Sequence, residues 1–317
     1  MLLDDLLARR LIVLTGKGGV GKSVVGTALA LAARDRGKRV LLVEVDAPLE
    51  AARVLGAPSS AGRETEAMPG LFTVNLEPAA VMDQYVERIV PVGLLARKVL
   101  ESPIYHRFFA AAPGLKELMV LGRIMVYEEA RARLSRRPAW DLIVVDGPAT
   151  GHGLAFLKVP LAASRAVPVG PVGHNARRIL KLLRDPERTG LVVVAIPEEM
   201  AVVEALDFHR LAVEELGVEP AAVVLNRCHE RRFTRQEAEE ILRLASGEAH
   251  GMLEPEVPLD AAVRAGRRQI RRHRLTRLYQ GRLRRGLPAP VASLPNLFRE
   301  SLGLEDIRIL AGRLETA

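Results

Sequence analysis

The residues best equipped for chemistry sit near the start of the chain, in Gly16-Lys17-Gly18-Gly19-Val20-Gly21-Lys22-Ser23. Their spacing satisfies G-x-x-x-x-G-K-[ST], in which each part has its own task. Glycines at 16, 18, 19 and 21 admit positive φ and carry no side chain, so successive backbone N–H groups can turn inward and cradle phosphate oxygens. Lys22 can reach the β- and γ-phosphates of a nucleotide such as ATP, and the Ser23 hydroxyl can ligate Mg²⁺. Two aspartates close apolar runs further on: Asp46 after RVLLVEV and Asp146 after WDLIVV. A carboxylate at the C-terminal end of a parallel strand lies on the edge where such sheets bind ligands. Asp46 therefore suits polarising an attacking water or holding a Mg²⁺-bound water, with an N-cap for the next helix as its structural alternative. Asp146 suits a Mg²⁺ water. In the following DGPATGHG, Gly147, Gly151 and Gly153 predict a mobile loop that senses the terminal phosphate. His152 reads either as a reporter of phosphate or subunit contact or as a structural hydrogen-bonder.

These groups need a parallel sheet to converge. Leu11–Thr15 is a continuous apolar run, as a strand buried on both faces requires. A helix from Lys22 to Arg36 follows, closed by Gly37, and it brings N–H groups and a dipole to the phosphates. Further strands are predicted at Arg39–Asp46, Leu71–Leu76 and Trp140–Val145, with a polar loop over Ala57–Gly70. From Pro78 to about Arg137 helical spacing dominates, with Tyr85, Tyr105, Tyr127, Met82, Met119 and Met125. This reads as a helical subdomain inserted at about 78–137, which helices from about 154–186 can join. Its apolar residues either pack on one another or line a groove for a client helix. The whole chain, 1–317, is expected to be one α/β domain: a doubly wound, mostly parallel P-loop NTPase sheet.

Composition narrows the classes. Hydrophobic residues at 49% and charged residues at 26% describe a globular protein, and the single cysteine excludes a cysteine-only zinc or iron–sulfur site within one chain. No apolar run approaches a spanning helix. Asp4 and Asp5 stand where a signal peptide would be basic. The expected location is cytoplasmic, with a peripheral membrane association open. The net charge of +8 comes from arginine, which fits either codon bias or a surface for anionic partners. The densest basic stretch, Arg264–Arg285, shows its arginines spread around a helix with only Tyr279 interleaved. That pattern disfavours a nucleic-acid partner.

Lys17, directly after the first glycine, makes GKGGVGKS similar to the deviant Walker A of dimeric ATPases that include MinD, ParA, the nitrogenase iron protein and ArsA. In those relatives the extra lysine crosses to the partner's phosphates. Asp146 to Pro160 resembles the D-T-A-P-T-G-H-T-L-R-x-L segment of the ArsA family, matching at Asp146, Thr150, Gly151, His152, Leu154 and Leu157. The family's T-D-P-A-H is here Val45-Asp46-Ala47-Pro48-Leu49, which departs around the aligned aspartate. Ala221–Asn226 is similar to the strand whose terminal asparagine recognises adenine, and Glu256-Val257-Pro258 to the loop flanking the base. Asn226 has the donors and acceptor that adenine takes, with a turn-forming asparagine as the alternative.

The resemblance implies Mg²⁺-dependent ATP hydrolysis in a homodimer, or in a heterodimer with a paralogue. It assigns the phosphates to residues 16–23, Mg²⁺ to Ser23, Asp146 and Asp46, water to Asp46, and developing charge to Lys17 in trans. A metalloid site of several thiolates cannot come from one cysteine. The leading expectation for the cargo is therefore a hydrophobic protein segment or membrane-protein partner. The alternatives are a ParA- or MinD-like positioning ATPase on nucleic acid or anionic membrane, an anion- or metalloid-transporter subunit, and a regulatory subunit that no longer hydrolyses.

Overall fold

A computed structural model describes residues 2–45, 50–57, 62–89, 97–98, 100–103, 107, 112–132, 137–245 and 259–316. Eight strands form one sheet in the order β3-β4-β2-β5-β1-β6-β7-β8. They are β1 (Leu11–Gly16), β2 (Val40–Val45), β3 (Thr65–Met68), β4 (Leu71–Leu76), β5 (Leu142–Ala149), β6 (Thr189–Ala195), β7 (Pro220–Cys228) and β8 (Val291–Pro295). Every pairing is parallel except the β3–β4 edge hairpin. The central strands are apolar along their length because both faces are covered.

Strand alternation sorts the core into two layers. Leu11 and Val13 of β1 face one layer with Ile143 and Val145 of β5, while Ile12, Leu14, Leu142 and Val144 face the other. In chain order the helices among the described residues are α1 (Leu2–Leu7), α2 (Lys22–Asp35), α3 (Glu50–Leu55), α4 (Pro78–Ile89), α5 (Leu115–Glu129), α6 (Thr150–Ala166), α7 (Gly170–Arg184), α8 (Glu199–Leu211), α9 (Arg235–Ala245), α10 (Leu259–Gly286) and α11 (Leu304–Glu315). A π turn, Ala212–Leu216, continues α8. The first layer is covered by α4 to α8, and the second by α1, α2, α3 and α11. Helix α5 packs on α4, α6 and α7. Among the described residues, no helix is long and apolar enough to cross a membrane.

Three local expectations are corrected. Part of the polar stretch 57–70 is strand β3, whose Thr65 and Glu66 pair with Thr73 and Phe72; its half-exposed TEAM sequence carries no apolar alternation to announce it. The segment 147–149, expected as loop, continues β5, and 150–153 opens α6. The arginines of α10 are not evenly spread. Its buried Gly266, Ile270, Thr276 and Leu283 mark one face, and seven of the ten arginines, all exposed, lie on the opposite side.

Candidate functional site: a glycine-rich loop over two buried carboxylates

The loop after β1 lies at the C-terminal edge of the sheet, between strands whose chains depart in different directions, the usual ligand crevice of such folds. Gly16, Gly19 and Gly21 have φ of 153°, 81° and 90°, while Gly18 is not in the left-handed region. Two of these positions could not carry a side chain. A Cβ at Gly16 would stand 2.2 Å from the Val194 carbonyl oxygen, and one at Gly21 would stand 2.5 Å from Asn226 Nδ2. Val20 is buried beneath the loop and α2 starts directly after Gly21.

Lys22 folds back over this loop, with Nζ 3.2 Å from the Gly16 carbonyl oxygen and 3.5 Å from that of Lys17. Burial pushes its ammonium below the ordinary lysine range, against the attraction of Asp146. Ser23 Oγ donates to Asp146 Oδ2 at 2.5 Å. Asp146 is only 5% exposed, and burial raises its carboxyl above the usual carboxylate range despite the Ser23 hydrogen bond and the Lys22 charge. Among the described residues, its Oδ1 has no hydrogen-bond partner.

A second carboxylate, which the sequence alone left unassigned, lies beside it. Glu44 on β2 is in register with Asp146 on β5, and both belong to the face that carries α2. Glu44 is 1% exposed. Its Oε1 accepts the Ala51 N–H at 3.0 Å, tying β2 to the start of α3, while Oε2 has no partner among the described residues. Burial raises its carboxyl as well, with Asp146 adding to the shift. The only hint in the sequence is that Glu44 alternates with Asp46 on the same strand.

The glycines after Asp146 serve close packing. A Cβ at Gly147 would stand 2.5 Å from the Leu14 carbonyl oxygen, and one at Gly153 would stand 2.5 Å from Thr15 Oγ1. Thr150, Gly151 and His152 form the first turn of α6. Asn226, 4% exposed near the end of β7, donates from Nδ2 to the Val20 carbonyl oxygen at 2.9 Å. It thereby ties the phosphate loop to β7. Lys17 pairs with Glu204 of α8 at 2.9 Å, both side chains being partly exposed (39% and 33%). Asp46 and Pro258 lie outside the described residues. Residues 16–23, Asp146 and Asn226 thus converge at one sheet edge.

Mg²⁺ fits this arrangement. A hydroxyl and a carboxylate sit in contact, one carboxylate oxygen is buried and unpartnered among the described residues, and all the donors are hard oxygens.

A family model for the anion-transporting ATPase matches residues 9–169. The chain is 32% identical over 228 residues to the ATPase BagA of Mycobacterium tuberculosis, a match that covers 69% of this chain and 65% of that protein. It is also similar to arsenical pump-driving ATPases: 31% identical over 232 residues to one from Acidiphilium multivorum and 30% over 234 residues to one from Escherichia coli. Each of those matches covers 67% of this chain and 38% of the relative. The chain therefore spans just under two thirds of the mycobacterial protein's length and well under half of the pump ATPases'. The family match covers residues 9–169, a range that includes β1, the glycine-rich loop, Asp146 and α6, and on it the chain belongs to the anion-transporting ATPase family.

Proposed function

We propose that the chain is a Mg²⁺-dependent ATPase whose nucleotide cycle opens and closes a dimer and acts on a hydrophobic protein segment. One observation carries the hydrolytic reading: a half-buried lysine and a buried carboxylate with an unpartnered oxygen among the described residues meet at the mouth of the loop. Lys22 is shifted toward neutrality, as is Asp146. Such paired frustration is common where a ligand completes the electrostatics. A triphosphate would give the Lys22 ammonium an anion in direct contact, in addition to the nearby Asp146. The loop N–H groups and the N-terminus of α2 would take the remaining phosphate oxygens. Ser23 and Asp146 would hold Mg²⁺, which when bound neutralises charge on the β- and γ-phosphates. Asp46 would orient the attacking water, and Lys17, released from Glu204, would reach the partner's phosphates. Asn226 would hold the loop in shape and border the adenine with Pro258.

The client reading rests on a cavity of about 470 Å³ between α4, α5 and α7, lined by Val81, Tyr85, Leu118, Met119, Val126 and Ile179 among others. Its walls are mostly apolar and adaptable, with Arg123, Glu129 and Arg178 also in the lining, a mixture that a groove for an amphipathic or apolar helix can use.

The test is phosphate release from the purified chain, with hydrogen exchange over residues 78–137 followed in the same samples. Turnover that chelation abolishes is expected, with a loss of about a hundredfold or more in Asp46→Asn, the usual cost of losing a group that positions or activates water. Absence of turnover in the unmodified chain would overturn the enzymatic reading. Turnover without any exchange change on adding ATP would overturn the client reading alone.

A further inference from the structure

The chain's excess positive charge is concentrated on one helix. Between Arg264 and Arg285, α10 carries ten arginines, and its only acidic residue is Asp260, so this helix accounts for the whole +8 excess and leaves the rest of the chain near neutrality. Codon bias alone would not confine the excess in this way. At 100° per residue, Arg264, Arg267, Arg268, Arg271, Arg274, Arg282 and Arg285 fall within an arc of about 120°, opposite the buried face, and the row runs about 30 Å along the helix. All seven are exposed. Among the described residues, none of them makes an ion pair.

We propose that α10 lies flat on the anionic surface of a lipid bilayer, its arginine row bridging lipid phosphates. Guanidinium groups bind phosphate oxygens in pairs and are only weakly hydrated, so an unpaired row of them complements a phosphate layer. Leu278 distinguishes a bilayer from a nucleic acid. It occupies the middle of the same arc and is 56% exposed. An apolar side chain between cations suits the boundary of headgroup and acyl chain, whereas a duplex phosphate backbone offers it nothing. The groups that read or stack bases point elsewhere. Gln269 donates to the Glu230 carbonyl oxygen, Gln280 donates to Ser293 Oγ, and Tyr279 packs on the core. The surface is distinct from the phosphate loop and does not depend on the ATPase reading.

The experiment is co-sedimentation of the full chain with vesicles of phosphatidylcholine alone or with about one-third phosphatidylglycerol, at low and high salt. Binding to the anionic vesicles only, weakened by salt, is expected. Each basic residue near such a surface changes partition by about fivefold, so Arg271→Glu/Arg274→Glu/Arg282→Glu should lower it by about a hundredfold or more. Leu278→Ser should weaken vesicle binding and leave any binding to duplex DNA unchanged. Circular dichroism and thermal melting check that both variants fold, and Leu278→Ser keeps the test decisive if the triple variant does not. No binding to anionic vesicles at low salt would overturn the proposal. So would vesicle binding insensitive to both variants, or duplex DNA competing the chain off vesicles with Leu278→Ser without effect.

Discussion

Replacing Asp146 with asparagine should stabilise the nucleotide-free chain while abolishing its response to Mg²⁺ and ATP. The carboxylate is 5% exposed, and Oδ1 has no partner among the described residues. Asparagine keeps the shape and can still accept from Ser23, but removes a buried charge whose desolvation outweighs the pull of Ser23 and Lys22. A poorly compensated buried charge costs about 1–3 kcal/mol. A chain of this length has an unfolding entropy of about 0.7 kcal/mol/K, so Tm should rise by about 2–4 °C. The pH dependence follows from the direction of the shift. The native carboxyl is raised above its unfolded value, so its favourable contribution is complete below the unfolded pKa and is lost as pH rises through the native one. Glu44 is raised too, partly by Asp146, so the substitution also relieves its neighbour. The gap between variant and wild type should be absent below about pH 4 and should open as pH rises through the native carboxyl's raised pKa. At a ligand concentration about a hundredfold above Kd, Mg²⁺ and ATP should stabilise the wild type by about 2.7 kcal/mol and reverse the order. Differential scanning fluorimetry reads all of this. A nucleotide-free Asp146→Asn melting at or below the wild type at the alkaline end would refute the electrostatic reading.

Glu204→Gln should strengthen ATP-dependent self-association, because Lys17 would no longer have to leave a carboxylate at 2.9 Å. An exposed pair is worth about 0.2–1 kcal/mol, so two per dimer give up to about a thirtyfold change in sedimentation equilibrium; unchanged or weaker association would count against Lys17 acting across an interface. Asn226→Ala removes the bond to the Val20 carbonyl oxygen and should cost about 1–2 kcal/mol in denaturant titration. It should also weaken nucleotide binding, since the loop it braces loses its tie to β7; an ATP affinity equal to wild type would mean that the loop holds its shape without it.

What the sequence revealed and what it hid divides along physical lines. The strand before the loop, the loop and the aspartate of β5 were legible because each is constrained locally: a doubly buried strand must be continuously apolar, and a phosphate cradle must be glycine at fixed spacing. The glycines at 147 and 153 read as loop residues in the sequence, whereas they lie in β5 and α6 where a Cβ would meet Leu14 or Thr15. The arginine row of α10 was hidden by Arg272, Arg277 and Arg284, which fill the gaps in the wheel. Once the buried face is known, they fall outside the stripe.

The hidden partners of the site are the more instructive cases. Glu44 and Glu204 sit in ordinary apolar or amphipathic surroundings in the sequence; only the alternation of Glu44 with Asp46 hints at the first, and nothing local marks the second. Glu44 matters because parallel pairing puts it beside Asp146, on a strand far away in the chain. Glu204 matters because, from α8, it pairs with Lys17 of the loop after β1. Both are acidic, and they act on opposite sides of the site's charge balance. Glu44 adds to the negative charge that would draw a divalent cation toward Asp146, and Glu204 occupies the lysine that a second chain's phosphates would claim. A nucleotide carrying its metal would relieve the first strain directly, but it would draw Lys17 from Glu204 only if a second copy came close. If Lys17 acts across a dimer as proposed, the two acids would separate binding from dimerisation. The first should respond to Mg²⁺ and ATP at any protein concentration, the second only where chains can meet.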